Sequence, residues 1–183
     1  CGRRRHTMTI TLTDATARAL EILTAQLGRP VRDVVGIPAR CVCGAPTVVS
    51  TKPRLADGTP FPTFYYLTHP AATAAISRLE AVGRMAELQQ SLEGDVAESY
   101  RAAHNAYLAD RAVFGSPDEI AGVSAGGMPT RVKCLHALAG HSLAAGPGVN
   151  PIGDVALAES TWSPTLCACD PADRGDQWVE VTE

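Results

Sequence analysis

The sequence is poor in aromatic residues and has no strong excess of either charge. Only 5% of its 183 residues are Phe, Trp or Tyr, and 16 basic side chains stand against 19 acidic ones, which gives a formal net charge of −3. Proteins that bind nucleic acid owe much of their affinity to clustered Lys and Arg. The charge balance therefore argues against a nucleic-acid partner.

The sequence also lacks long apolar runs and a dense set of cysteines. No run approaches the roughly 20 residues that cross a bilayer, which excludes a transmembrane protein. Six cysteines are too sparse for a disulfide scaffold, and no secretory signal precedes them. We therefore expect a cytoplasmic protein with reduced thiols and no membrane partner.

The length and the 45% hydrophobic content suit one well-cored domain. We expect this domain to span residues 13–160, after an N-terminal extension at 1–12 and before a C-terminal tail at 161–183. Met8 looks like a usable start, so residues 1–7 fit an upstream extension. Cys1 would also suit a lipidated N-terminus, but no processing signal supports that alternative.

Apolar spacing and turn residues predict an α+β fold, in which a small antiparallel sheet of about three strands packs with four to five helices. A hairpin is expected over 34–40 and 47–51, with a third strand over 64–67. The predicted helices begin at Thr13 or Asp14, Pro70, Asp95, Pro129 and Asp154. The helix from Pro129 should run to about Ala144, and Gly83 should kink the helix from Pro70.

Cysteine and histidine side chains cluster in three parts of the sequence and indicate a zinc site. Zinc takes four such ligands in a tetrahedron. Residues two apart on a strand face the same side, so Cys41 and Cys43 can bind one ion. The predicted metal ligands are Cys41, Cys43, His69 and Cys134, with His136 or His141 as a substitute for one of them.

Two alternatives to this ligand set remain open. Cys167 and Cys169 repeat the spacing of Cys41 and Cys43, and the two pairs would form a four-thiolate site if the tail folds back. In the other alternative no metal binds, because cysteine is among the most buried residue types and the histidines cap or pack. On a regular helix Cys134 and His136 lie about 200° apart, so we do not expect them to share an ion.

A glycine-rich loop before the predicted helix at Pro129 indicates an anion site. Free backbone N–H groups and the helix dipole favour an anion there, and an arginine can bind phosphate through two hydrogen bonds. The predicted anion-binding residues are Gly126, Gly127, Thr130, Arg131 and Lys133. Alternatively, the glycines make a turn and the basic side chains form a solvated face.

His136 and His141 are the candidate catalytic residues. Imidazole groups can serve as acid and base near neutral pH. No nucleophile or substrate accompanies them in the sequence, so the residues do not decide whether the protein is an enzyme.

Three stretches carry a resemblance to a known family. They are Arg40-Cys41, Asp57-Gly-Thr-Pro-Phe-Pro-Thr-Phe-Tyr-Tyr-Leu-Thr-His-Pro70, and Ser124-Ala-Gly-Gly-Met-Pro-Thr-Arg-Val-Lys-Cys-Leu-His136 continuing to Asp154. Over about residues 25–160 the chain resembles an uncharacterised bacterial family, domain of unknown function five hundred and one. The family has no established reaction, so the resemblance implies no substrate. Its genes often lie near those of a septum-formation protein and an exopolyphosphatase.

Two functional hypotheses follow. In the first, the protein is stabilised by a metal, recognises a small anionic ligand, and acts on or senses a phosphorylated compound. In the second, it is a non-catalytic interaction protein that binds a protein partner, is linked to cell division or polyphosphate handling, and has at most a structural metal. An enzyme needs a cleft or an open coordination position, whereas a structural site is closed.

Overall fold

A computed structural model describes residues 11–175, and within that range the chain forms three strands and six α-helices. The predictions for residues 1–10 and for the last eight residues lie outside the described part. The strands are β1 (Val34–Arg40), β2 (Pro46–Thr51) and β3 (Tyr65–Leu67). The helices are α1 (Ala17–Leu27), α2 (Pro70–Ala81), α3 (Arg84–Gln90), α4 (Gly94–Ala112), α5 (Leu135–Ala145) and α6 (Pro151–Glu159).

The strands form one antiparallel sheet in the order β1-β2-β3, which confirms the predicted α+β class. β2 is buried along its whole length because the sheet is covered on both faces. Successive strand residues point to opposite faces. Val48 accordingly packs into the main core beneath the later helices, whereas Val49 packs against Leu23 of α1.

The first helix begins later than predicted. Its N-cap is Thr16, whose hydroxyl accepts a hydrogen bond from the backbone N–H of Ala19 at 3.2 Å. Thr13 instead exchanges two backbone hydrogen bonds with Ile37 at 2.9 and 3.0 Å. The prediction of a cap at Thr13 or Asp14 is therefore wrong, because Thr13 pairs with the sheet.

Gly83 lies between two helices instead of kinking one. It adopts φ +83°, a left-handed conformation that most residues avoid, and separates α2 from α3. The single predicted helix from Pro70 is thus two helices.

The helix predicted from Pro129 begins six residues later, at Leu135. The preceding segment is a folded loop, in which the N–H of Lys133 donates to Gly126 O at 2.8 Å and that of Arg131 to Gly127 O at 2.9 Å. The first helical N–H, of Leu135, donates to the carboxylate of Glu80 at 2.7 Å. The start was misplaced because this long-range contact leaves no local sequence signal.

A buried tyrosine ties α4 to the chain before β3. The Tyr107 ring is fully buried, and its hydroxyl accepts the N–H of Phe64 at 2.5 Å and donates to Pro62 O at 3.3 Å. A buried polar group that loses its partner destabilises a fold by about 1–3 kcal/mol. The hydroxyl of Tyr107 therefore contributes to the stability of the fold through its hydrogen bonds.

Replacing Tyr107 by Phe should lower the free energy of unfolding by about 1–3 kcal/mol, because the N–H of Phe64 loses this acceptor in the core. Urea unfolding of the purified variant measures the change. Tyr66→Phe is the matched control, since Tyr66 is 37% exposed. Equal stability of the two variants would contradict this role of the hydroxyl.

Candidate metal centre

Two Cys-X-Cys segments that are distant in sequence meet in the structure. The sulphur atoms of Cys41, Cys43, Cys167 and Cys169 all lie within 4.8 Å of one another, and those of Cys43 and Cys169 are 3.4 Å apart. Zinc bound to four sulphurs at about 2.3 Å would hold them about 3.8 Å apart. The four cysteines are therefore close enough together to bind one metal ion.

A tight turn brings the first two cysteines together. β1 ends at Arg40, so Cys41 and Cys43 lie in the hairpin turn and not on a strand, which corrects the strand geometry expected for them from the sequence. The N–H of Gly44 donates to Cys41 O at 2.8 Å, and the N–H of Cys41 donates to Ala45 O at 2.8 Å. Gly44 makes the turn with φ +85°. The curvature of the turn, and not strand alternation, gathers the two thiols.

The C-terminal segment folds back onto this turn. The N–H of Val42 donates to Pro164 O at 2.9 Å, and the N–H of Gly175 donates to Cys43 O at 3.1 Å. Arg18 of α1 adds a hydrogen bond to Ala172 O. These contacts flank Cys167 and Cys169 on both sides and position them against the hairpin.

Cys41, Cys43 and Cys169 differ in acidity. Cys41 is 3% exposed and Cys43 is fully buried. Burial raises the pKa of Cys41 and of Cys169. At Cys43 burial acts in the same direction, but the N–H of Ala45 and the sulphurs of Cys169 and Cys167 reverse it, so the pKa is lowered. Cys43 therefore ionises more readily than Cys41 or Cys169.

His69 lies beside the centre as a hydrogen-bond partner of one sulphur. It is 2% exposed and caps α2, where its Nδ1 accepts the N–H of Ala72 at 3.4 Å. The ring proton then resides on Nε2, which lies 3.0 Å from Cys169 Sγ. Burial lowers the pKa of His69, which keeps the ring neutral. This geometry favours His69 as a donor to Cys169 over the ligand role expected from the sequence.

Cys134, the fourth predicted ligand, belongs to a different group. Its sulphur lies with Glu80 and His136, and the three ligand atoms are all within 4.8 Å of one another. The hydrogen bond between Cys134 and His136 lowers the pKa of the thiol and raises that of the imidazole. Cys134 precedes α5 in an extended conformation, with φ −154° and ψ 108°. The prediction that Cys134 and His136 lie on opposite sides of one regular helix is therefore wrong.

His141, the second candidate catalytic residue, lies in the core. Its ring is fully buried and stacks on Tyr65, with 5.5 Å between centroids and 8° between planes. Tyr107 packs against it edge-on at 5.2 Å. Burial lowers the pKa of His141 to about 4, so the ring is neutral at pH 7. The structure places His141 apart from the cysteine cluster and in a packing position.

The predicted anion-binding residues do not lie at a helix N-terminus. Thr130, Arg131 and Lys133 are exposed side chains of the loop that precedes α5. Gly126 and Gly127 serve packing: an added Cβ would come within 2.5 Å of Leu138 Cδ2 at the first and of Arg131 O at the second. Because the start of α5 is occupied by Glu80, the geometry gives no support to the phosphate site.

The comparisons with known proteins place the chain in a family. The model of the family described as "Protein of unknown function (DUF501)" matches residues 37–158. The chain belongs to this family. The DUF501 match includes Cys41, Cys43, Cys134 and His136, whereas Cys167 and Cys169 follow it.

Neither the curated proteins nor the solved structures include a match to the chain. Within residues 11–175, no helix combines the length and the apolar character needed to cross a membrane.

The burial of His141 predicts a specific pH dependence of stability. The unfolded chain takes up the proton near pH 6.5 and the folded chain only near pH 4, so stability should decline as the pH falls through this range. The contribution is about 2 kcal/mol between pH 7 and pH 5. Urea unfolding across this range should show that decline in the parent and a smaller one in His141→Phe. Equal slopes in the two proteins would contradict the neutral, buried ring.

Proposed function

We propose that the protein binds zinc through Cys41, Cys43, Cys167 and Cys169, and that this centre is structural. The supporting observation is the convergence of four sulphurs from two distant segments within 4.8 Å of one another. Zinc binds four thiolates in a tetrahedron without redox chemistry. Its role here would be to fasten the C-terminal segment to the β1–β2 turn.

The arrangement suits a closed site. Four thiolates complete the tetrahedral shell of zinc, and structural sites have that completeness, whereas catalytic sites keep one position open. A Zn²⁺ ion with four thiolates carries two negative charges, which need hydrogen bonds when buried. The backbone N–H groups of Cys43 and Ala45 and Nε2 of His69 face these sulphurs. They supply the hydrogen bonds that metal ligands commonly receive from neighbouring groups.

The packing around the centre explains why a metal would be needed. The cysteines form a small cluster with Ile22 and Ala45, separate from the main core. In the C-terminal segment Trp162 is buried, but Leu166 is 73% exposed. Apolar contacts alone hold this segment weakly, and small structural units commonly gain the missing stability from a metal.

A closed centre favours the hypothesis of a non-catalytic interaction protein over that of a phosphate-recognising one. In this proposal the zinc shapes a surface made jointly by the hairpin turn and the C-terminal segment, and that surface binds a protein partner. Zinc binding requires reduced, deprotonated thiols. The proposal therefore assigns the protein to a reducing compartment, as expected for the cytoplasm.

Replacing Cys43 or Cys169 by Ser should weaken zinc binding by more than about 10- to 100-fold, which is the cost of losing a hydrogen-bond partner of a ligand, because here a ligand itself is removed. Competition with a chelator measures the affinity. Cobalt substituted for zinc reports the number of thiolates through its charge-transfer absorption. Cys134→Ser is the matched control and should retain the four-thiolate spectrum.

Limited proteolysis tests whether the metal holds the C-terminal segment in place. Metal removal should make the segment 160–175 sensitive to limited proteolysis while the remaining domain stays folded. A parent protein that shows no four-thiolate cobalt spectrum would contradict zinc binding. Unchanged cleavage after complete metal removal would contradict the fastening role.

A further inference from the structure

A second group of ligands lies at the start of α5, outside the cysteine cluster. Glu80 ends α2, Cys134 precedes α5, and His136 belongs to its first turn. We propose that these three residues form a second zinc site, with three protein ligands and one coordination position open to a cavity.

The distances within the group suit a tetrahedral ion. His136 Nδ1 lies 3.3 Å from Glu80 Oε1. Zinc that bound one nitrogen and one oxygen at about 2.0–2.1 Å would hold them about 3.3–3.4 Å apart. The sulphur of Cys134 lies within 4.8 Å of both atoms. Zinc accepts this mixture of sulphur, nitrogen and oxygen ligands.

The hydrogen bonds of His136 leave the correct nitrogen available. Its Nε2 lies 3.2 Å from the carbonyl oxygen of Thr73 and 3.1 Å from the hydroxyl of Ser77. A carbonyl only accepts, so Nε2 carries the proton and Nδ1 presents its lone pair towards Glu80. Histidine ligands of metals are oriented in this way, because their other nitrogen donates a hydrogen bond to a neighbouring acceptor.

Glu80 is held in place by a hydrogen bond that leaves lone pairs of its carboxylate available. Its Oε1 accepts the N–H of Leu135 at 2.7 Å, which fixes the carboxylate against the start of α5. A carboxylate offers about four acceptor positions, so lone pairs remain for a metal. When the ring is neutral, Nδ1 and Oε1 are both acceptors, so their close approach leaves room for a proton or a metal ion between them.

The open side of the group faces a cavity of about 330 Å³. Cys134 and His136 line it together with Tyr65 and Tyr66 of β3 and Thr73 of α2. This volume is at the lower end for ligand sites. A water molecule or a small oxygen ligand can therefore take the fourth position, which is the arrangement of catalytic zinc sites.

The test uses the full chain with its four-thiolate centre already loaded with zinc. Added Co²⁺ should bind at this site and give the charge-transfer absorption of one thiolate. Added Zn²⁺ should slow the alkylation of Cys134 by iodoacetamide, which peptide mass spectrometry measures. Glu80→Gln should weaken this binding at least 10-fold. The amide oxygen of that variant can still accept the N–H of Leu135, so the fold is retained. Glu98→Gln, at an exposed position of α4, is the control.

Each alternative outcome is decisive for this site. If Co²⁺ binds equally in the parent and in Cys134→Ser, the metal lies elsewhere and the proposal fails. If Zn²⁺ leaves the alkylation of Cys134 unchanged, a proton and not a metal bridges His136 and Glu80, which also overturns it. Peptide mapping measures the alkylation of Cys134 separately from that of Cys43 and Cys169. A failure of the four-thiolate centre is therefore distinguished from a failure of this second site.

Discussion

Four thiols gathered in a largely buried cluster cannot all ionise unless a cation joins them, and the proposed metal centre at the hairpin turn depends on this electrostatic constraint. Burial raises the pKa of Cys41 and Cys169, whereas Cys43 is shifted in the opposite direction. A divalent ion would remove the mutual repulsion of the thiolates and convert the cluster from an electrostatic cost into a cross-link. In the proposed centre, this cross-link fixes the position of the C-terminal segment.

The main core does not depend on the proposed metal centre. β2, β3 and the helices behind them enclose an apolar cluster with buried aromatic rings, among them Tyr65 and Tyr107. The thiolate centre lies outside it, where the sheet turns and the chain returns. The group at Glu80 lies at a junction between α2 and α5. Both ligand groups therefore occupy ends of elements, where backbone direction changes and side chains from distant segments can meet.

Local patterns predicted the fold well and the site only in part. The strands lie where β-branched residues and turn signals predicted them, because β-branched side chains pack well on a pleated sheet and turn residues mark its ends. The start of α5 was misplaced because Glu80, 55 residues away, completes it. For the same reason Arg131 was expected on a helix, and Cys134 and His136 were expected to lie too far apart to share an ion. The repeated Cys-X-Cys spacing signalled the four-thiolate set, but only the return of the tail distinguishes it from the set with Cys134.

X-ray absorption at the zinc edge of the purified full chain tests the central claim most directly, because it counts and identifies the atoms bound to the metal. The account predicts a shell of four sulphurs at about 2.3 Å for the tightly bound zinc that remains after exchange of any weaker ion. A shell dominated by nitrogen or oxygen at about 2.0–2.1 Å would contradict it.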